Sequence, residues 1–267
     1  MAYDQKSFGD HLRDWRQRRR LSQMDLALDA EISTRHLSFL ETGRAQPSRD
    51  MVLRLAEQLE TPLRERNVLL IAAGFAPVFV ERALDDPALA PARRAIDLIL
   101  KGHEPYPALV VDLRWNLVAA NSAVAPLLAG VDPELTAAPA NVMRLALHPK
   151  GLAPRIANFA EWRDHLLERL KSQVAITGDP GLIELLAEMQ SYPVPPAPDR
   201  RPEDFGGVAV PFQLMTEAGV LSFYSTTTVF GAAVDITLSE LSLETFFPAD
   251  AATAQAIRGS QAEPVTS

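Results

Sequence analysis

"LSQMDLALDAEISTRHLSFLETGRAQPS", residues 21–48, decides how the first part of this chain folds. Serine is a strong helix N-cap, because its hydroxyl accepts one of the backbone N–H groups that a helix start leaves unpaired. Ser22 therefore opens a helix over "QMDLALDA", with Met24, Leu26 and Ala27 directed inward. "EI" is a tight turn, and Ser33 opens a second helix. That helix ends at Gly43, a residue type suited to the left-handed position just past a helix. Two short helices joined by so few residues have the spacing of a helix-turn-helix, whose second member enters the DNA major groove. The same spacing also occurs in ordinary helical bundles, so the geometry alone leaves both readings open.

Working outward, Phe8, Leu12 and Trp15 recur three or four residues apart, which predicts an amphipathic helix over 7–19. Ser48 caps a fourth helix marked by Met51, Val52, Leu55, Ala56 and Leu59, and Pro62 opens a fifth, "PLRERNVLLIAAGF". Net charge is −8 over 267 residues, which argues against a nucleic-acid binder until it is divided along the chain. Residues 1–66 carry 12 Lys+Arg against 11 Asp+Glu, whereas 67–267 carry 14 against 23. Arg13, Arg16, Arg18, Arg19 and Arg20 crowd one short run. Such a cluster can hold phosphates on an acidic protein, since screening confines fields to roughly 10 Å; it can equally be a solvated helix end that complements the dipole.

The pattern of residues resembles the helix-turn-helix of phage-repressor-like (XRE-type) regulators. The matching features are Gln23 opening one helix, Ala27 in its packed middle, Ile32-Ser33, Leu37 and Leu40, and Glu41-Thr42-Gly43 followed by Pro47-Ser48. The resemblance implies that Gln23 binds a phosphate, that Thr34, Arg35, Ser38 and Phe39 face base edges, and that Arg16 and Glu41 form a structural ion pair. Positions 34, 35, 38 and 39 do fall on one side of a helix. Arg44 and Arg49, just beyond it, read as phosphate clamps that set register. His36 lies on the other side and reads as a surface or packing residue. Phe39 departs from the pattern, which places a polar reader there; it could touch a thymine methyl or pack against the rest of the protein when DNA is absent.

After about residue 75 the composition changes, and 19 of the 21 prolines follow residue 66. "FAPVFVERALDDPALAP" reads as a connector and is followed by a helix to Leu100. "YPALVVDLRWNLVAANSAVAPLL" gives strand, turn, strand and a helix capped by Asn121. Helices are predicted over Ala140 to Leu147, Phe159 to Gln173 and Gly181 to Gln190; "PVPPAPDRRP" from Pro193, with five prolines in ten residues, is a loop. Two β-rich runs around "EAG" form a hairpin, with Leu221, Phe223, Ser225, Thr227 and Val229 on one face.

That order is the outline of an α+β, PAS-type sensor. "VVDLRWNLVAANSAVAPLL", "NVMRLALHPKGLAP", "LSFYSTTTVFG" and "LSLETFFPAD" together resemble the MmyB-like ligand-binding domain. The expected organisation is multidomain: an all-α five-helix helix-turn-helix domain at 1–75, a connector at 76–90, a PAS-like ligand-binding domain at 91–250 and a flexible tail at 251–267. The resemblance implies a fatty-acid-like ligand, although the domain could serve dimerisation alone. Trp115, Phe159, Trp162, Leu221, Phe223 and Phe230 are candidate pocket residues, each of which ordinary core packing would also explain. Arg144 and His148, four apart, could share a carboxylate if the helix reaches His148, or serve as a structural ion pair or cap; Asn121 is a further candidate contact, better explained as a cap. "STTT", 225–228, is accounted for by a β-branched strand.

No phosphate loop, dinucleotide fingerprint, zinc-protease motif or nucleophile elbow occurs, no cysteine is present, and the five histidines lack metal-ligand spacing. An enzyme is therefore not expected, nor any cofactor or metal beyond a possible bound fatty acid or similar apolar ligand. No apolar run reaches the ~18 residues of a membrane span and no secretory signal is visible. The expectation is a cytoplasmic homodimer whose partners are double-stranded DNA and a small apolar molecule.

Overall fold

Serine hydroxyls set the first four helix starts. Ser7, Ser22, Ser33 and Ser48 each accept a backbone N–H three residues on, and Asp10 and Asp25 return the bond to Ser7 and Ser22 as capping boxes. The computed structural model describes residues 6–195, 209–217 and 219–260. In it the N-terminal helices are α1 (Phe8–Arg18), α2 (Gln23–Asp29), α3 (Thr34–Glu41), α4 (Arg49–Gln58) and α5 (Leu63–Ala72). Leu12, Leu26, Ala27, Leu37, Leu40, Leu55 and Leu70 are all buried between them.

Met24 is the exception: it is 68% exposed. The buried face of α2 runs through Leu26, Ala27 and Ala30, so Met24 and Leu28 share the opposite side. At α1, Gly9 permits close helix crossing, since a Cβ there would lie 2.5 Å from the Glu41 carbonyl oxygen.

The chain forms two units, the first comprising residues 1–83 with two short later pieces, 175–177 and 232–239. The expected connector is thus partly built into this unit. The Asn67 side chain binds the backbone of Val78 and Phe79, and Arg64 pairs with Glu81. Asp235, buried, accepts from Arg82 at 2.8 Å, and Val80 bridges Asp235.

The second unit continues with α6 (Ala90–Gly102), β1 (Ala108–Val111), β2 (Leu117–Ala120), α7 (Pro133–Thr136), α8 (Val142–Leu147), α9 (Phe159–Thr177), α10 (Pro180–Ser191), β3 (Phe212–Thr216) and β4 (Gly219–Val229). After the short α11 (Ile236–Ser239) of the first unit come β5 (Ser242–Pro248) and α12 (Ala251–Ser260). The antiparallel sheet has the order β2-β1-β5-β4-β3, and helices supply the rest of the core.

Three expectations change here. Asn121 caps no helix: its buried side chain accepts from Ala108 N–H and donates to the Leu100 and Tyr106 carbonyls, tying β2 to the end of α6. The strand β5, between β1 and β4, was unforeseen. The supposed tail starts as α12, anchored by Thr253, whose hydroxyl accepts from Ser222 N–H at 2.9 Å. The proline-rich loop lies mostly outside the described residues.

Candidate functional site

The first site is the outer face of α3. Thr34 and Arg35 are exposed, Ser38 and Phe39 half-buried, while Leu37 and Leu40 face the core. The helix ends in a Schellman turn: Arg44 N–H donates to the Phe39 carbonyl at 2.8 Å and Gly43 N–H to that of Leu40 at 3.3 Å. Gly43, at φ +70°, supplies the left-handed step that this turn requires. The turn carries Arg44 back toward the helix. The Phe39 ring consequently has two cationic neighbours, the Arg35 guanidinium at 5.3 Å and that of Arg44 at 6.0 Å from its centroid. Arg49 is exposed in the first turn of α4.

Behind this face lies a buried charge network. Glu41, 3% exposed, accepts from Arg16 Nε at 2.6 Å and Nη2 at 3.0 Å. It also accepts from Gln23 Nε2 at 2.7 Å. Burial pushes the Glu41 carboxyl up, but the bonds from Arg16 and Gln23 outweigh it and hold it below its ordinary value. An amide NH2 has two donors. Gln23 commits one of the two to Glu41. The arginine cluster of α1 is largely turned inward: Arg16 holds Glu41, Arg13 bonds the Glu41 carbonyl, and Arg19 bonds the Leu59 and Glu60 carbonyls at the end of α4. Arg18 lies over Trp15.

The second site is a cavity of about 90 Å³ in the second unit. Its lining is almost wholly apolar and comes from all five strands, α8, α9 and the loops between them; the polar exceptions are Arg169, Ser225 and Glu244. Arg169 reaches Glu244 at 2.8 and 3.2 Å and Thr227 at 2.9 Å, and its guanidinium lies 4.8 Å from the Trp115 ring centroid. Trp115 is at φ +65°, costly for a bulky residue, and its indole N–H donates to Gln173 at 2.6 Å.

Of the candidate pocket residues, Trp115 and Trp162 line this cavity. Leu221 lines a separate open groove, together with Arg155 and Ile257. Phe159 and Phe223 are packed in the core, and Phe230 is half-buried at the end of β4, away from the cavity lining. Arg144 and His148 do not share a carboxylate site. Arg144 is held bidentately by Glu188 at 2.8 and 2.7 Å, His148 packs edge-on against Tyr192, and neither reaches the cavity. Sequence reasoning missed Arg169, Ser225 and Glu244. The signal available was Glu244 itself, an acid inside the apolar strand "LSLETFFP".

Among the described residues no helix is long and apolar enough to cross a membrane, and no cluster of acidic and histidine side chains could hold a metal ion. A family model described as the MmyB-like transcription regulator ligand binding domain matches residues 92–259, and a helix-turn-helix domain model matches residues 7–69. No curated protein matches the chain.

Proposed function

Because the chain belongs to the family of MmyB-like transcription regulators, we propose that it reads a specific DNA operator through α3 and that a small apolar molecule held in the C-terminal domain modulates that binding. The observation carrying this reading is the α3 face. Thr34 and Arg35 stand toward solvent, Ser38 is half-buried beside them, Phe39 has two arginines at its ring, and Arg44 and Arg49 flank the helix. Arg35 suits O6 and N7 of guanine, whereas Arg44, Arg49 and Gln23 suit phosphates. Two copies pair as a homodimer, presenting two α3 helices about one DNA turn apart, ~34–36 Å, to a near-palindromic site.

The ligand reading rests on the apolar cavity, with its strained Trp115 and its one ionic pair. A fatty-acid-like molecule was the expectation; the general class is a small, mainly apolar compound. Coupling has a route in the chain itself: β4 and β5, which carry Ser225, Glu244 and Phe246 of the cavity wall, are joined through residues 232–239 of the DNA-binding unit. A ligand that prefers one arrangement of those strands shifts the DNA-bound population.

One observation favours a second reading, in which the C-terminal domain only dimerises. The cavity, at about 90 Å³, is below the ~150 Å³ known to admit benzene and the ~300 Å³ common for ligand pockets. Organic extraction of purified protein distinguishes the two: a stoichiometric apolar compound supports the sensor, and none supports the dimerisation module. Footprinting on genomic DNA tests the operator reading, which fails if no discrete sites are protected.

A further inference from the structure

The helix α6 buries Ile96 and Leu100 and turns Arg94, Asp97, Leu98 and Lys101 to solvent. Leu98 is 73% exposed and Ile99, beside it, 40%. Phe247 of β5, also exposed, continues this surface: its ring meets that of His103, just past the helix end, edge-on at 4.8 Å. Single exposed apolar residues are ordinary on any protein. What singles out this face is the arrangement of charge around it.

At 100° per residue, Arg94, Asp97, Lys101 and the following Glu104 fall along one flank of α6, Ile99 and His103 along the other, and Leu98 between them. Asp97 and Lys101 are four apart yet form no ion pair, and Arg94 has no side-chain partner among the described residues. Glu104, also exposed, accepts from the Ser122 hydroxyl at 2.9 Å through Oε1 alone. The order of these charges is self-complementary: Arg94 with Glu104, and Asp97 with Lys101, are both centred on position 99.

That symmetry selects an occupant. When two copies of a helix pack antiparallel about a two-fold axis, like flank meets like flank with the direction reversed. With the axis level with position 99, each cation faces an anion of the other copy, and the two Leu98 side chains meet roughly 3 Å apart along the helix. A parallel pair would instead set the charged flank of one copy against Ile99 and Phe247 of the other. Beside Phe247 the exposed Thr226 and Thr228 of β4 extend the surface toward the about 800 Å² per partner of a standard interface.

We propose that this face binds a second copy of the chain, α6 against α6 in antiparallel orientation around Leu98, with Arg94–Glu104 and Asp97–Lys101 ion pairs between protomers. This rests on the homodimer reading and supplies its interface.

The chain has no cysteine, so one introduced thiol reports one contact. In the full-length protein, Leu98→Cys should give a disulfide-linked dimer under mild oxidation. Arg94→Cys should not, because roughly 15 Å along the helix separates its two copies, beyond the ~7 Å between Cα atoms that a disulfide spans. Sedimentation equilibrium gives the energetic side. Leu98→Asp should weaken dimerisation at least about tenfold, since charge is disfavoured at an interface core. Asp97→Lys should do the same, because the two-fold makes each like-charge contact twice, and combining it with Lys101→Asp should restore the affinity to within about threefold. Dimerisation unchanged by Leu98→Asp and Asp97→Lys, or equal cross-linking through positions 94 and 98, overturns the proposal while leaving the homodimer reading standing. An unaltered protein that is monomeric at every concentration, alone and on DNA, removes the homodimer reading and the proposal with it.

Discussion

Each unit buries a carboxylate against an arginine, and the two pairs have different surroundings. In the N-terminal unit Arg16 and Glu41 join α1 to the end of α3, with Gln23 of α2 on the same carboxylate, so the pair fixes the three helices that present the DNA-reading face. In the C-terminal unit Arg169 of α9 and Glu244 of β5 border the apolar cavity beside a backbone-strained tryptophan. The first pair is tied by hydrogen bonds to three helices. The second lies where a small molecule could enter, and the contrast separates a rigid reader from an adaptable sensor.

The sharpest way to break that contrast is to remove one member of the N-terminal pair. Arg16→Ala leaves Glu41 buried without its main partner and should destabilise the N-terminal unit by about 3–5 kcal/mol. Hydrogen exchange should show this as lost protection in α1 to α3, and unchanged protection there would remove the pair from the scaffold. Acid gives the same test without mutation. Because the folded Glu41 carboxyl titrates below its ordinary value, its stabilisation is full above the unfolded value near 4.5 and is lost as pH falls through the lower folded value. The Arg16→Ala defect should therefore shrink at strongly acidic pH.

Arg35→Ala comes next, with an expected loss of about 1–3 kcal/mol of discrimination at one base pair. Arg44→Ala should instead weaken binding to all sequences and lower the salt slope by about one. Competition binding against single-base operator variants separates them, and unchanged selectivity in the Arg35 variant removes it from the readout set.

Phe39→Ala should have the smallest effect, about 0.5–1 kcal/mol, from losing a half-buried ring's contact with the exposed Arg35 guanidinium. A loss confined to the base read by Arg35 would make Phe39 a positioning residue. A loss at an A·T pair would instead make it a methyl contact.

The difference between the units also explains what could be read from sequence. Helix starts and stops in the N-terminal unit are local signals, with a serine hydroxyl bonding three residues on and a glycine at positive φ, so the first four helices were legible within a residue or two, whereas α5 stops at Ala72, three residues before the expected Phe75. The Met24 error arose because periodicity gives a face but not its edge, and Leu26, Ala27 and Ala30 define the side that is buried. The cavity is assembled from residues distant in sequence, Arg169 from α9 meeting Glu244 from β5, and no local pattern specifies that meeting. Arg144 and His148 have the spacing of a shared helix face, but α8 stops at Leu147, and Glu188 of α10 takes Arg144 into the alternative, a structural ion pair. Aromatic residues such as Phe159 and Phe223 look identical in sequence whether they fill a core or line a space.

The central claim, that the apolar cavity governs DNA reading by α3, is tested most directly by measuring affinity for a footprinted operator with the cavity empty and with it saturated by a small apolar ligand. The account predicts a change of at least about fivefold, the lower range for coupling between two sites. Identical affinities in the two states would contradict it.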